Sequence, residues 1–247
     1  MKSIYRHIPN TLTSLNLFCG SLSIMLAFQG NLLLSAYLLL IAFHFDIFDG
    51  LSARLLKVSS DIGKELDSLA DVISFGLAPA ALLVNLIMPA LDISKISLRA
   101  FEMRELLVLI PFILPVFAAI RLARFNIRDS MMNGFMGVPS PANGIMVLSI
   151  PLIANNHPDS FLVHWFNLPG VIIAYSIIVS LLMVSHIPLY SFKMKGFKWK
   201  ANKYTYSFLA GIAVILVIFG YSGLFLSVVF YLVYGFILAL LLRRKKV

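Results

Sequence analysis

Acidic residues are scarce in this 247-residue chain: eleven Asp and Glu stand against twenty Lys and Arg. Cysteine is scarcer. The one Cys, Cys19, permits no intrachain disulfide, and the absence of Cys/His pairs at metal-ligand spacing excludes a structural zinc site. Charge of both signs amounts to 13% of the residues, and no polar stretch is long enough for a separate soluble domain. That little charge beside 60% apolar residues and a mean hydropathy of +0.92 excludes an ordinary water-soluble domain. No long internal repeat divides the chain.

What the sequence has instead is long apolar runs. Eight approach or reach the roughly 17–25 residues of a spanning helix: 9–28, 31–53, 64–88, 105–123, 142–155, 169–188, 204–219 and 222–242. The expected fold is all-α, a polytopic bundle of about eight transmembrane helices. The chain reads as one integral membrane domain, 1–247, with a core over 1–190 and two further spans in 204–242. The first run does not read as a cleaved signal, because Pro9-Asn10 breaks it early and no small-x-small site ends it.

The basic excess sets an orientation. With eight spans and the N-terminus in the cytoplasm, 17 of the 20 Lys and Arg fall on the cytoplasmic side, and only Lys95, Arg99 and Arg104 fall outside. The expected location is the inner (cytoplasmic) membrane, multi-pass, with both termini inside. The Lys193–Lys203 cluster then reads as a topology signal touching anionic headgroups, with no nucleic-acid module to support another use.

Six of the eleven acids lie in "FDIFDGLSARLLKVSSDIGKELDSLADVISF", residues 45–75. On helices, Asp46, Asp49, Gly50 and Ala53 (i, i+3, i+4, i+7) share one face, and Gly63, Asp67 and Asp71 (i, i+4, i+8) share another. Lys57-Val58-Ser59-Ser60-Asp61 reads as the turn between them, with Asp61 a start signal for the next helix. Two antiparallel helices thus aim two carboxylates each at one point. Such a set is costly to hold ionised near hydrocarbon unless cations bind there. Hard oxygen ligands favour Mg²⁺ or Mn²⁺. Gly50, Ala53 and Gly63 leave room for a ligand, and Arg54 can approach an anion. Acids, metal and clearance describe a site for a phosphorylated substrate, with two ions clamping a phosphoryl group.

The pattern Asp46-x2-Asp49-Gly50-x2-Ala53-Arg54-x8-Gly63-x3-Asp67-x3-Asp71 resembles the complete signature of the CDP-alcohol phosphotransferases. The segments "IPNTLTSLNLFCGSLSI" (8–24), "GKELDSLADVISFGLAPA" (63–80), "RLARFN" (121–126) and "GVPSPANG" (137–144) are similar to its membrane-type phosphatidylserine synthases, over roughly residues 4–190. The resemblance implies metal ligation by Asp46, Asp49, Asp67 and Asp71, with Asp71 as general base. It implies CDP contacts from Gly50, Ala53, Arg54, Gly63, Asn10 and Thr13, and less so from Asn16. Its implied substrates are CDP-diacylglycerol and L-serine, and its implied assembly is a homodimer among membrane lipids.

Arg121 and Arg124 read as topology anchors, or as contacts for an acceptor carboxylate or phosphate. Pro139–Asn143 reads as a rigid turn, and His44 as a packing or interface residue. A sibling enzyme with glycerol 3-phosphate or inositol as acceptor shares the core signature. A divalent-cation or proton-coupled transporter is disfavoured, because the acids lie at one membrane face and no charged relay continues across.

The orientation is testable with single cysteines at Ser59 and Asn156 in a chain lacking Cys19. An impermeant thiol reagent applied to intact cells is expected to label position 156 and spare position 59. The reverse result overturns the orientation.

Overall fold

A computed structural model describes residues 7–58, 60–94, 103–128, 135–190 and 199–244. Ser59 and several of the basic residues counted above (Lys2, Arg6, Lys95, Arg99, Lys193, Lys195, Lys198, Lys245 and Lys246) lie outside them. Among the described residues the chain is all-α apart from one two-residue strand pair. Helices α1 (His7–Phe28) and α2 (Leu32–Leu56) form an antiparallel hairpin. Asn31 caps α2, its side chain accepting from Leu34 N–H at 3.2 Å. Near the loop end of the hairpin two fully buried serines bond reciprocally. Ser23 Oγ donates to Ser35 O at 3.0 Å, and Ser35 Oγ to Ser23 O at 2.8 Å. Small hydroxyl residues of this kind let apolar helices approach and join.

Helix α2 ends at Lys57, whose left-handed backbone (φ 52°) returns its N–H to Ala53 O and Arg54 O. Ser60, rather than Asp61, caps α3 (Asp61–Asp71): its Oγ accepts from Gly63 N–H at 3.0 Å, and Asp61 occupies the first helical position. The helix then widens into a π segment, Val72–Leu77, and continues as α4 (Ala78–Ala90). A local cause is Pro79. It has no N–H, so Phe75 O loses its α-helical donor. Asn143 Nδ2 supplies one at 2.9 Å, and Tyr175 OH donates in turn to Asn143 Oδ1 at 2.9 Å.

This composite helix is the centre of the bundle, with Ala78–Val84 and Ile87 all buried. Helices α5 (Met103–Leu109) and α6 (Ile113–Arg128), joined by a 3₁₀ turn at Ile110–Phe112, pack on one side. Helix α7 (Ser140–Asn156) packs on another and is buried over most of its length. Short α8 (Phe161–Phe166) and then α9 (Pro169–Val184) follow. Strands β1 (Phe135–Met136) and β2 (Pro188–Leu189) pair antiparallel and tie the entry of α7 to the exit of α9. Gly137 (φ 73°) makes that crossing possible, since a Cβ there would lie 2.9 Å from Leu182 O.

The last helix, α10 (Trp199–Arg244), is two arms. Gly220 (φ 52°, ψ −127°) interrupts it. The Ser207 and Tyr234 hydroxyls, 27 residues apart, meet at 2.6 Å, whereas a straight helix would separate them by about 40 Å. Phe208 stacks on Phe230 and Tyr234 between the arms. The runs expected at 204–219 and 222–242 are therefore the two arms of a hairpin.

Each expected apolar run has a helical counterpart, and among the described residues five helical segments are long and apolar enough to cross a membrane when α10 is taken as one. Helix α9, at 16 residues, and α7, at 17, are shorter than the ~20 residues of a typical span. Large apolar side chains cover the outside, Val217 at 85% exposure among them, as suits a lipid-facing surface. The chain is a multi-pass membrane protein.

Removing the Asn143 amide strands a buried carbonyl, and Asn143→Leu is expected to cost about 1–3 kcal/mol. Thermal unfolding in detergent measures it. Pro79→Ala returns the missing N–H, so the same change should cost less in that background. Equal losses in both backgrounds would refute the proline origin of the π segment.

Candidate active site

Beyond Lys57 the chain returns so that α3 packs against α1, with the start of α3 beside Asn10. The two faces read from the sequence meet there. Asp46, Asp49 and Asp67 each offer a carboxylate oxygen, and the three oxygens lie within 4.8 Å of one another. Asp49 is buried, and Thr13 Oγ1 of α1 donates to its Oδ2 at 2.6 Å. Asp71 is buried at the junction of α3 with the π segment, its carboxyl against that of Asp46. Its Oδ1 has no hydrogen-bond partner. Three converging carboxylates with a fourth behind them form an oxygen-only donor set, which fits a hard divalent cation.

On one side of the cluster opens a cleft of about 610 Å³, lined by Pro9, Asn10, Thr13, Asp49, Gly50, Ala53, Val58, Ser60, Gly63, Lys64 and Asp67. Gly50 has nothing within 4 Å of where a Cβ would stand, so its backbone faces open space. Gly63 is closely approached: a Cβ there would lie 2.7 Å from Asn10 Oδ1 and 2.9 Å from Ser60 Oγ. Asn10, Thr13, Gly50, Ala53 and Gly63 are thus brought together at one cleft.

Arg54 is not. It is exposed and does not line the cleft, because one residue beyond Ala53 turns about 100° around the helix. The cation in the cleft is Lys64, which also donates to Asn126 O at 3.4 Å. Nothing in the pattern of acids and glycines singled out Lys64, although its place one residue after Gly63 was a usable signal.

The two arginines separate. Arg121 is buried on α6, donates to the fully buried Ser140 Oγ at 3.3 Å, and is electrostatically coupled to Asp71. Arg124 is exposed and donates to Val184 O at the end of α9, at 3.5 Å. His44 is exposed, with Nδ1 2.7 Å from Leu40 O. The expected Pro139–Asn143 turn is the start of α7. Only Pro139 precedes the helix, Ser140 meets Arg121, and Asn143 reaches the π segment.

That segment is caged by close approaches. A Cβ on Gly20 would lie 2.9 Å from Ser74 Cα, one on Gly144 2.7 Å from the Phe75 ring, and one on Gly76 2.9 Å from Pro115 Cα. Asp71 therefore leads into a part of the helix fixed by α1, α6 and α7 together.

The CDP-diacylglycerol–serine O-phosphatidyltransferase of Helicobacter pylori (strain ATCC 700392 / 26695) is 30% identical over 254 residues, covering 96% of this chain and 92% of that protein. The protein of the same name from Methanocaldococcus jannaschii is 32% identical over 230 residues, 93% of this chain and 92% of that one. An archaetidylserine synthase of Methanothermobacter thermautotrophicus is 34% identical over 148 residues, 59% of this chain and 58% of that one. The sequence model of the CDP-alcohol phosphatidyltransferases matches residues 6–184, which include the whole acidic cluster and its cleft, and this chain belongs to that family.

Proposed function

We propose that this chain is a phosphatidylserine synthase, which transfers the phosphatidyl group of CDP-diacylglycerol to the hydroxyl of L-serine and releases CMP. The observation that carries the reading is the cluster of Asp46, Asp49 and Asp67, with Asp71 behind it and a roomy cleft in front. Serine as the acceptor is supported by the names of the relatives, which agree on a serine product over nearly the full chain in two cases.

In this proposal the cleft takes the cytidine diphosphate part. Asn10, Thr13, Gly50, Ala53 and Gly63 shape it, and Lys64 faces the phosphates. The serine oxygen bonds to the lipid-side phosphorus, the bond from that phosphorus to the CMP oxygen breaks, and CMP leaves with the electron pair. Asp71 takes the serine proton, since a protonated hydroxyl is a poor nucleophile. Arg121 is the group for the serine carboxylate, being buried and beside Asp71, while Arg124 serves the end of α9.

The family is divalent-metal dependent in general. Asp46, Asp49 and Asp67 are the residues that would hold the cation, with Asp71 within reach of a second. Mg²⁺ or Mn²⁺, bound as two ions, would supply charge neutralisation at the phosphoryl oxygens. The site faces the cytoplasm at the inner (cytoplasmic) membrane, both termini lie on that side, and the chain works as a homodimer. Residues 1–247 form one membrane domain, with the catalytic core in 1–190 and the hairpin of 204–242 added to it.

CMP release from CDP-diacylglycerol with L-serine, glycerol 3-phosphate, inositol or no acceptor tests the function. Serine alone should support rapid release, and another acceptor doing so would replace serine in this reading. EDTA should abolish turnover and Mg²⁺ or Mn²⁺ restore it. Full activity after bound metal is shown to be gone would end the metal proposal.

Two sets of variants divide the roles. Asp67→Asn should weaken metal binding, with partial rescue by excess Mn²⁺, whereas Asp71→Asn should keep metal and CDP-diacylglycerol binding and lose turnover. Equal metal loss and equal rescue would make Asp71 chiefly a ligand. Arg121→Ala should raise the KM for serine on the order of 10–150-fold, the effect of about 1.5–3 kcal/mol for a charge-assisted hydrogen bond. Arg124→Ala should leave that KM nearly unchanged. Normal serine kinetics in Arg121→Ala would remove the carboxylate role.

A further inference from the structure

The cleft opens on Asp49 and Asp67 but not on Asp46 or Asp71. On that far side lie buried polar atoms without hydrogen-bond partners: Oδ1 of Asp71, Nε of Arg121, and both Oδ1 and Nδ2 of Asn16. Asn16 is fully buried. Two contacts fix its level. Thr13, one turn before it on α1, donates to Asp49 of the antiparallel α2. One turn deeper on α1 therefore meets one turn earlier on α2, the level of Asp46. On its other flank the Asn16 carbonyl accepts from Ser74 Oγ at 3.1 Å, three residues after Asp71. Asn16 thus stands between the Asp46 turn and the Asp71 turn.

Packing alone does not explain an amide there. Leu has nearly the same size and shape and strands no polar atom, so it would suit a purely structural position better. An amide with both its donor and its acceptor unengaged suits a small polar ligand.

We infer that Asn16 is a binding residue for the acceptor alcohol: its Nδ2 donates to the attacking oxygen, leaving that oxygen's own proton turned toward Asp71. This rests on the phosphatidyl-transfer reading and deepens it. It places Asn16, Asp71 and Arg121 around the acceptor, across the acidic cluster from the nucleotide cleft. The two substrates then approach the metal ligands from opposite sides.

The test is steady-state kinetics of Asn16→Leu and Asn16→Ala in detergent, each varied in alcohol, CDP-diacylglycerol and Mn²⁺. The kcat/KM for the alcohol should fall at least about fivefold, the effect of one lost hydrogen bond. The KM for CDP-diacylglycerol and the Mn²⁺ dependence should stay within about twofold. A structural defect would move all three together. Unchanged alcohol kinetics in both variants overturns the inference, and so does an equal loss in CDP-diacylglycerol affinity, which would make Asn16 a nucleotide contact. If Asn16→Leu does not fold, Asn16→Ala decides. The alcohol used is whichever the wild-type protein consumes in the acceptor panel. A failure of serine there corrects the acceptor but leaves Asn16 to be judged with the other alcohol, whereas no CMP release with any alcohol overturns both.

Discussion

Mutual repulsion among four carboxylates is the constraint on which the rest of this structure depends. Left to themselves, Asp46, Asp49, Asp67 and Asp71 would drive α2 and α3 apart, and the low-dielectric surroundings strengthen that force. The opposing forces come from outside the cluster. Thr13 reaches in from α1 to hold Asp49. Arg121 places a positive charge near Asp71 from α6, and is itself fixed by Ser140 of α7. Asn126 of α6 bonds Ser68 Oγ on α3 at 2.9 Å. The bundle is a frame built around groups that do not want to be together, which is a reason for an acidic site of this kind to need so many helices.

The π segment belongs to the same logic. An ordinary α-helix would carry a regular set of side chains past Asp71 into the core. The wider turn changes the angular setting of everything after it, and such turns recur at functional sites. Here the irregularity is not free to relax. Asn143 takes over the carbonyl that Pro79 cannot serve, and Gly20, Gly76 and Gly144 let three neighbours close on the segment. Asp71 gains a fixed direction from residues on three other helices.

The acidic register was legible because helical spacing alone places Asp46 with Asp49 and Asp67 with Asp71. The apolar runs gave the helices for a similar reason: length and composition suffice near a membrane. Residues whose role depends on a neighbouring helix were harder to see. Nothing local separates Arg121 from Arg124, three residues apart in "RLARFN"; only the packing of α6 puts one inside and the other at the surface. Arg54 fits a family pattern yet points away from the cleft, while Lys64 lies in it. The role of Asn143 required knowing that α7 passes beside Pro79. Asn16 looked like part of a polar helix start until its burial was known.

The reciprocal serines of the first hairpin have a consequence at a distance. Ser23 and Ser35 leave their hydroxyls satisfied at only one axial alignment of α1 and α2. A shift of one turn, about 5.4 Å, would strand both in a hydrocarbon layer that offers no replacement partner. Ten residues of rigid helix, about 15 Å, separate Ser23 from Thr13. That length of α1 acts as a ruler: the serines set its zero mark, and Thr13 is read off opposite Asp49 at the other end. The spacing of the acidic cluster is thereby gauged from the loop end of the first hairpin, out of reach of the substrates that come and go at the site.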